Sequence, residues 1–476
     1  MTTLPRTSPP AADLGVDRSR RVAVIGGGAS GTLTALNVLR AAPGHVGVTV
    51  FEASGRIGYG VAYATTDRRH LLNVPARNMS AFPDAPADLV EWARASGRDV
   101  DPADFLPRAD YAVYLRDRLR AISRRHPGRL ATVGEQVVDL EPLDGAFVVR
   151  TARGTQEAYD AVVLAYGNAA PSWLSVGGEP LPQAPWHVAN PWDLSWITAL
   201  PPDATVVIVG TGLTAVDTAI SVLEDAPGRR AVMVSRHGLV PEAHAAPCSP
   251  AMSTGWVTPV PPGPLTADGI AALVAEQLRA AAARDVDWRV VVDGLRGPTQ
   301  SIWGRLDLAE RRRFLARYAR RWEVRRHRMA PGVAALLDGY RAAGRLEILA
   351  GGLSAVACGG AAGVDGADGA AVQVEVGGRV VGADAVVNCT GPLIDVERAD
   401  NPLLAALLRR GLVAPDPLRL GLSCTPAGEV LGRDGRVPGL FTVGPPRKGV
   451  LFETTAIPEI RVQAAEVAGL VGAPHS

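Results

Sequence analysis

Two glycine-spaced turns, each following a run of branched apolar residues, are the parts of this sequence suited to holding phosphate. The first is Gly26-Gly27-Gly28-Ala29-Ser30-Gly31; the second is Gly210-Thr211-Gly212-Leu213-Thr214-Ala215. In each, the first glycine permits a tight turn and the second lets backbone amides approach a pyrophosphate. A small third residue lets the following helix pack on its strand, and that helix adds partial positive charge. The next strand of the first unit ends on Glu52-Ala53, where a carboxylate can accept from ribose hydroxyls. The next strand of the second ends on Ser235-Arg236. A hydroxyl and a guanidinium suit a 2′-phosphate that a carboxylate would repel. The pair therefore predicts two dinucleotides with different ribose chemistry: FAD at the first turn and NADPH at the second.

FAD is assigned to the first turn because that turn opens the chain, a second nucleotide site is available, and a late segment ending in Gly444 can return to it. Thr454, Thr455 and Ala456 then cap a closing helix near the flavin ring. The glycine-rich stretch 54–84 is too irregular for a helix and too long for a plain connector, which marks it as functional. Within it Asn73 is the candidate catalytic residue, touching the flavin edge, with Val74 beside it and Met79 against the ring. Val137, Gly167 and Gly391 complete the predicted cofactor contacts.

The elements that must position these residues follow a repeat. Each unit reads glycine turn, helix, strand, and later an apolar closing strand, the first ending at Gly167 and the second at Gly391. The fold class is α/β: two Rossmann-like dinucleotide-binding domains with a mostly helical insertion. The expected division gives a disordered arm at 1–20, an FAD domain at 21–170 and 375–476, and an NADPH domain at 171–239 and 346–374. The insertion, at 240–345, carries predicted helices over 265–282, 306–324 and 330–343 and is the expected substrate region.

Composition narrows the classes. A 476-residue chain with 47% hydrophobic residues and a net charge of +1 is ordinary globular protein with no footprint for nucleic acid. Lys448 is the only lysine among 49 basic residues, so a Schiff-base lysine elsewhere is excluded. Four scattered cysteines form no C-x-x-C pair, which argues against a redox disulfide, and no metal-ligand spacing appears. No apolar run approaches membrane-spanning length and no signal peptide is evident, so a cytoplasmic location is the default. Oligomeric state is left open, with a homo-oligomer compatible.

Further motifs are specific. Gly-Tyr-Gly-Val-Ala-Tyr-Ala-Thr spans 58–65 and His-Leu-Leu-Asn-Val-Pro-Ala spans 70–76. Asp-Trp-Arg-Val-Val-Val-Asp-Gly-Leu-Arg spans 287–296, Trp-Glu-Val-Arg-Arg-His-Arg-Met-Ala-Pro spans 322–331, and Thr-Thr-Ala-Ile-Pro-Glu-Ile-Arg spans 454–461. In these, and over nearly the whole chain after residue 20, the sequence resembles the bacterial FAD/NAD(P)-binding two-dinucleotide flavoproteins. Among that group are flavin-dependent amino-acid N-monooxygenases, including those that oxidise the aspartate amine to nitrosuccinate. The resemblance implies an enzyme using FAD, NADPH and molecular oxygen, N-hydroxylating a small carboxylate-bearing amine through a flavin C4a-hydroperoxide. Arg296, His327 and Arg328 belong to the shared pattern and are the expected substrate contacts.

Two departures stand out. His187 and Trp192 lie where Baeyer–Villiger enzymes carry a related motif, but their spacing is off by one and the preceding Phe-x-Gly is missing. The Gly-Asp ending usual for the C-terminal strand is replaced by Gly444-Pro445-Pro446-Arg447-Lys448-Gly449. Two other readings remain: an NADPH-dependent reductase passing electrons to an external acceptor, and a non-catalytic dinucleotide sensor.

Overall fold

The computed structural model describes residues 20–41, 44–245, 260–358 and 371–472. The chain enters through β1 (Arg20–Ile25), α1 (Ala29–Ala41) and β2 (Val46–Phe51). After the long loop and helix α2 (Arg108–Arg125) comes β3 (Leu130–Val133), then an antiparallel meander over 137–159, then β4 (Ala161–Leu164). The second unit comprises β5 (His187–Val188), β6 (Thr205–Val209), α3 (Leu213–Asp225) and β7 (Arg230–Ser235). The insertion includes α4 (Ala319–Arg326) and leads to β8 (Leu346–Ala350). The chain closes with β9 (Ala385–Asn388), β10 (Glu429–Gly432), β11 (Gly435–Thr442) and α5 (Ile457–Gly472).

The first sheet has the order β10-β11-β4-β1-β2-β3 and the second β5-β9-β6-β7-β8. All pairings are parallel except β10 with β11. Parallel strands need cover on both faces, which is why β4 is an unbroken apolar run and β9 is apolar up to Asn388, with every residue of both buried. Helix α1 has no polar stripe: Ser30 through Leu39 are all buried between the sheet and α5.

One expected boundary is wrong. The stretch after 375 was assigned whole to the first unit, yet β9 pairs with β6 in register Val206↔Ala385 and belongs to the second sheet. The antiparallel strands Val372–Val376 and Arg379–Ala383 precede it, and their buried valines pack with those of β6, β7 and β9. The return to the first sheet comes later, through β10 and β11. Arg20, given to the arm, starts β1, while the rest of that arm and residues 359–370 lie outside the described residues. In the insertion, the helix expected over 306–324 breaks at Tyr318, and two short helices, Trp288–Gly294 and Thr299–Arg305, fill the stretch left unassigned.

Candidate active site

Both glycine turns are locked by the same device. A Cβ on Gly26 would lie 2.4 Å from the Ala165 carbonyl, and one on Gly210 would lie 2.1 Å from that of Cys389. Each turn is thus pressed under the end of its closing strand, with φ of +103° and +127° that favour glycine. This is why both closing strands end on small residues. Gly31 is tighter still, its Cβ position 1.8 Å from the Gly26 carbonyl.

The first groove fits a dinucleotide. Gly28 faces only the backbone of Gly60, at 3.3 Å from its Cβ position, so the wall here is main chain. The Glu52 carboxylate is oriented before any ligand arrives: Gly27 N–H donates to Oε2 at 2.8 Å, and Ser54 donates to Oε1 through its amide (3.1 Å) and hydroxyl (2.8 Å). Ala53 is exposed beside it. The C-terminal segment returns as expected. Gly444 N–H donates to Gln463 Oε1 at 2.9 Å, and Thr454 Oγ1 donates to the Gly444 carbonyl at 3.1 Å. The Cβ position of Gly444 lies 2.5 Å from Ser30 Oγ, on the first turn of α1. Thr454 therefore locks the β11 end to α5. The exposed faces are left to Thr455 and Ala456. Val137 instead lies in the core under the sheet, 5% exposed.

The second groove also fits. Gly212 is the N-cap of α3 without any side-chain cap, and nothing lies within 4 Å of its Cβ position. The first amides of α3 are therefore open to an anion.

A cleft of about 750 Å³ takes in the second groove together with the long loop and the segment before α5. Its walls include Gly210, Gly212, Leu213, Thr214, Ser235 and Arg236 of the second turn. Asn73, Val74 and Met79 come from the long loop, Gly391 from the turn after β9, and Thr455 and Ala456 from the segment just before α5. Helix α4 forms a further wall. Arg320, Glu323, Val324 and His327 all face the cleft, at the i, i+3, i+4, i+7 spacing of a single helical face. That spacing was readable, but the arginine run around it reads equally well as a solvated face.

Of the three expected substrate contacts, only His327 lines the cleft. Arg296 reaches across the insertion to α5 and donates from Nε to Glu459 at 2.8 Å. Arg328 is 3% exposed, paired with Asp293 and 5.8 Å from the Trp288 ring. Both guanidiniums hold the insertion in place. The sequence reading also passed over Lys448, which lines the cleft with its nearest carboxylate, Glu323, 3.8 Å away. It missed a network tying the long loop to α3 as well. His70 Nε2 lies 2.8 Å from Ser221 Oγ, Ser221 donates to Asp67 at 2.6 Å, and Arg108 pairs with Asp217 at 2.9 Å.

Two half-buried histidines are held below the usual histidine pKa. His244 donates from Nε2 to the Asn73 carbonyl at 3.0 Å, fixing that loop, and burial followed by the charge of Arg328 pushes its pKa down to about 4. His327 is pushed down to about 3, by burial first and then by Arg326, Lys448 and Arg296. In the unfolded chain both titrate near pH ~6.5. As pH falls below that value the unfolded state takes up protons first, so folding stability is full above it and declines toward the folded pKa values. Urea midpoints at pH 7, 6 and 5 should fall progressively, and His327→Gln should flatten the slope by about one proton. An unchanged slope in that variant would show that His327 is charged in the native state.

Residues 23–169 match the family described as FAD-NAD(P)-binding. The fold as a whole is similar to L-lysine 6-monooxygenase from Pseudomonas syringae, at 17% identity and a TM-score of 0.60 over 94% of this chain and 98% of that one. It is similar to the ornithine N-hydroxylase of Kutzneria sp. 744, described with reduced FAD, NADP+ and L-ornithine, at 12% identity and 0.60 over 95% and 99%. It is also similar to bacillithiol disulfide reductase from Staphylococcus aureus, at 12% identity and 0.55 over 95% and 98%. At these identities the likeness establishes the two-dinucleotide α/β fold. No protein of curated function matches the sequence.

Proposed function

We propose that this chain is an FAD- and NADPH-dependent monooxygenase that N-hydroxylates the amine of a small, carboxylate-bearing substrate. The observation that carries the reading is the single cleft. Its walls come from the second glycine turn, from the segments flanking the first dinucleotide's far end, and from the insertion. Coenzyme, flavin edge and a third compound can therefore meet in one volume. FAD, held by the Gly26–Gly31 turn, Glu52 and the Gly444–Thr454 lock, supplies hydride acceptance and oxygen activation.

The protein's own contribution is electrostatic. Burial is the first cause that keeps His327 neutral, and the charges of Arg326, Lys448 and Arg296 that add to it also act on any amine bound beside it. A substrate ammonium is disfavoured there, and the neutral amine needed for attack on oxygen is favoured. A substrate carboxylate is attracted by the same charges, with Lys448 the group facing it. Neutral His327 can then donate from one ring nitrogen and accept at the other.

The sequence has no C-x-x-C, and among the described residues Cys389 and Cys424 are free and buried. An internal C-x-x-C relay therefore has no support in the sequence. The test follows NADPH oxidation in air by purified holoenzyme with a panel of amino acids and diamines under ¹⁸O₂. An N-oxygenated product carrying label is the expected result. Stoichiometric hydrogen peroxide regardless of amine would instead favour the reductase reading.

The coenzyme assignment makes its own prediction. Arg236→Ala should lower kcat/KM for NADPH about 10- to 100-fold, the loss of one charge-assisted contact, and leave NADH unchanged. Equal losses for both coenzymes would remove Arg236 from the 2′-phosphate site.

A further inference from the structure

Arg320 stands on the insertion helix α4, yet its bonds are to the second dinucleotide unit. Its Nη2 donates to Thr211 Oγ1 at 3.0 Å and to the Leu239 carbonyl at 2.7 Å. Thr211 is the residue between the two glycines of the turn, and its Oγ1 lies 2.9 Å from Ser235 Oγ, next to Arg236. The Arg320 guanidinium is thereby held beside Ser235, one residue from Arg236, where other dinucleotide sites carry a carboxylate, and both arginines line the cleft. Among the described residues, neither has an ion pair with an acid. Burial lowers the Arg320 pKa, Glu323 opposes that, and the nearby Arg236 adds to it. Two like charges lining one cleft, one of them half-buried, favour an anion between them.

We propose that Arg320 is a second ligand of the coenzyme's 2′-phosphate, which is gripped between Arg236 at the end of β7 and Arg320 on α4. The inference rests on reading the second turn as an NADPH site. It adds that specificity for the phosphate is shared with the insertion, outside the Rossmann-like unit. Nη2 is committed to the turn and the remaining guanidinium N–H groups are available for phosphate oxygens. The same α4 face carries His327 seven residues on, about 10 Å along the helix. The wall that grips the phosphate therefore also reaches the other end of the cleft.

The experiment titrates holoenzyme with 2′,5′-ADP and with 5′-AMP by calorimetry, using wild type, Arg320→Met, Arg320→Gln and Arg236→Ala. Arg320→Gln keeps an amide donor for Thr211 and Leu239 while removing the charge, which guards against a variant that fails to fold. The expected result is that both Arg320 variants weaken 2′,5′-ADP about 10- to 100-fold and leave 5′-AMP unchanged. Equal weakening of both nucleotides would mean that Arg320 only staples the turn, and would overturn the proposal. So would a loss of 2′,5′-ADP in Arg236→Ala alone. Equal affinity of wild type for the two nucleotides would overturn the NADPH reading itself, and this inference with it.

Discussion

Gly31→Val should yield a folded but colourless protein. The Cβ position of Gly31 lies 1.8 Å from the Gly26 carbonyl and 3.1 Å from Val24 Cγ1, so the obstacle is backbone and a core strand. No rotamer relieves such a clash. Helix α1 must move off β1, and the amides at its N-terminus move with it. Overpacking of this kind costs about 3 kcal/mol or more, which is roughly a 100-fold loss in affinity when it falls on the ligand's own cradle. The flavin-to-protein absorbance ratio after desalting measures it, with far-ultraviolet circular dichroism reporting the fold. Full retention of flavin would mean that the Gly26–Gly31 turn is not the FAD cradle.

Removing Glu453 should cost the largest amount of stability of any single change at the cleft wall. Its carboxylate is 6% exposed. It accepts from Trp322 Nε1 at 2.8 Å and from Arg326 Nε at 2.8 Å, binding α4 to the segment before α5. Glu453→Ala strands a guanidinium that is 9% exposed. Breaking one half of a buried pair costs about 3–5 kcal/mol. Glu459, 3.8 Å from Arg326, remains as a partial partner, which puts the expected value in the lower half of that range. Urea denaturation measures it. Glu453→Leu combined with Arg326→Met should recover much of the loss, because neither charge is then stranded. A single-variant cost below about 0.5 kcal/mol would mean that the pair is solvated and α4 is held by other contacts.

These two predictions differ in how early they could be made. The Gly31 argument was available from the sequence, because a glycine fingerprint is a local object. Strand, turn, helix and the Glu52 strand fall within about 30 residues, and their spacing alone fixes the geometry. The contrast between Glu52 and Ser235-Arg236 was legible for the same reason, as was the return of Gly444 and Thr454 once the chain was known to need a distant hold on a long ligand.

The partners of Glu453, Arg296 and Arg328 are not legible in the sequence. Sequence similarity marked both arginines as belonging to the pattern, but a pattern does not say which way a guanidinium points. Arg296 meets Glu459 across 163 residues, and the insertion arginines are too numerous for any one to be paired by composition. The repeat gives the second unit its own closing strand at Gly391, whereas the domain bounds gave everything after 375 to the first unit. Only the hydrogen-bonded register of β9 against β6 decides which sheet it completes. Arg320 is the same case in reverse. It lies in a run that reads as solvated surface, and the fold carries it to the Thr211 turn 109 residues away. Local spacing determined the two cradles and the chemistry each can hold. The tertiary structure decided which charges face the cleft and which are spent holding it together, because long-range pairing among many similar arginines leaves no periodic trace in the sequence.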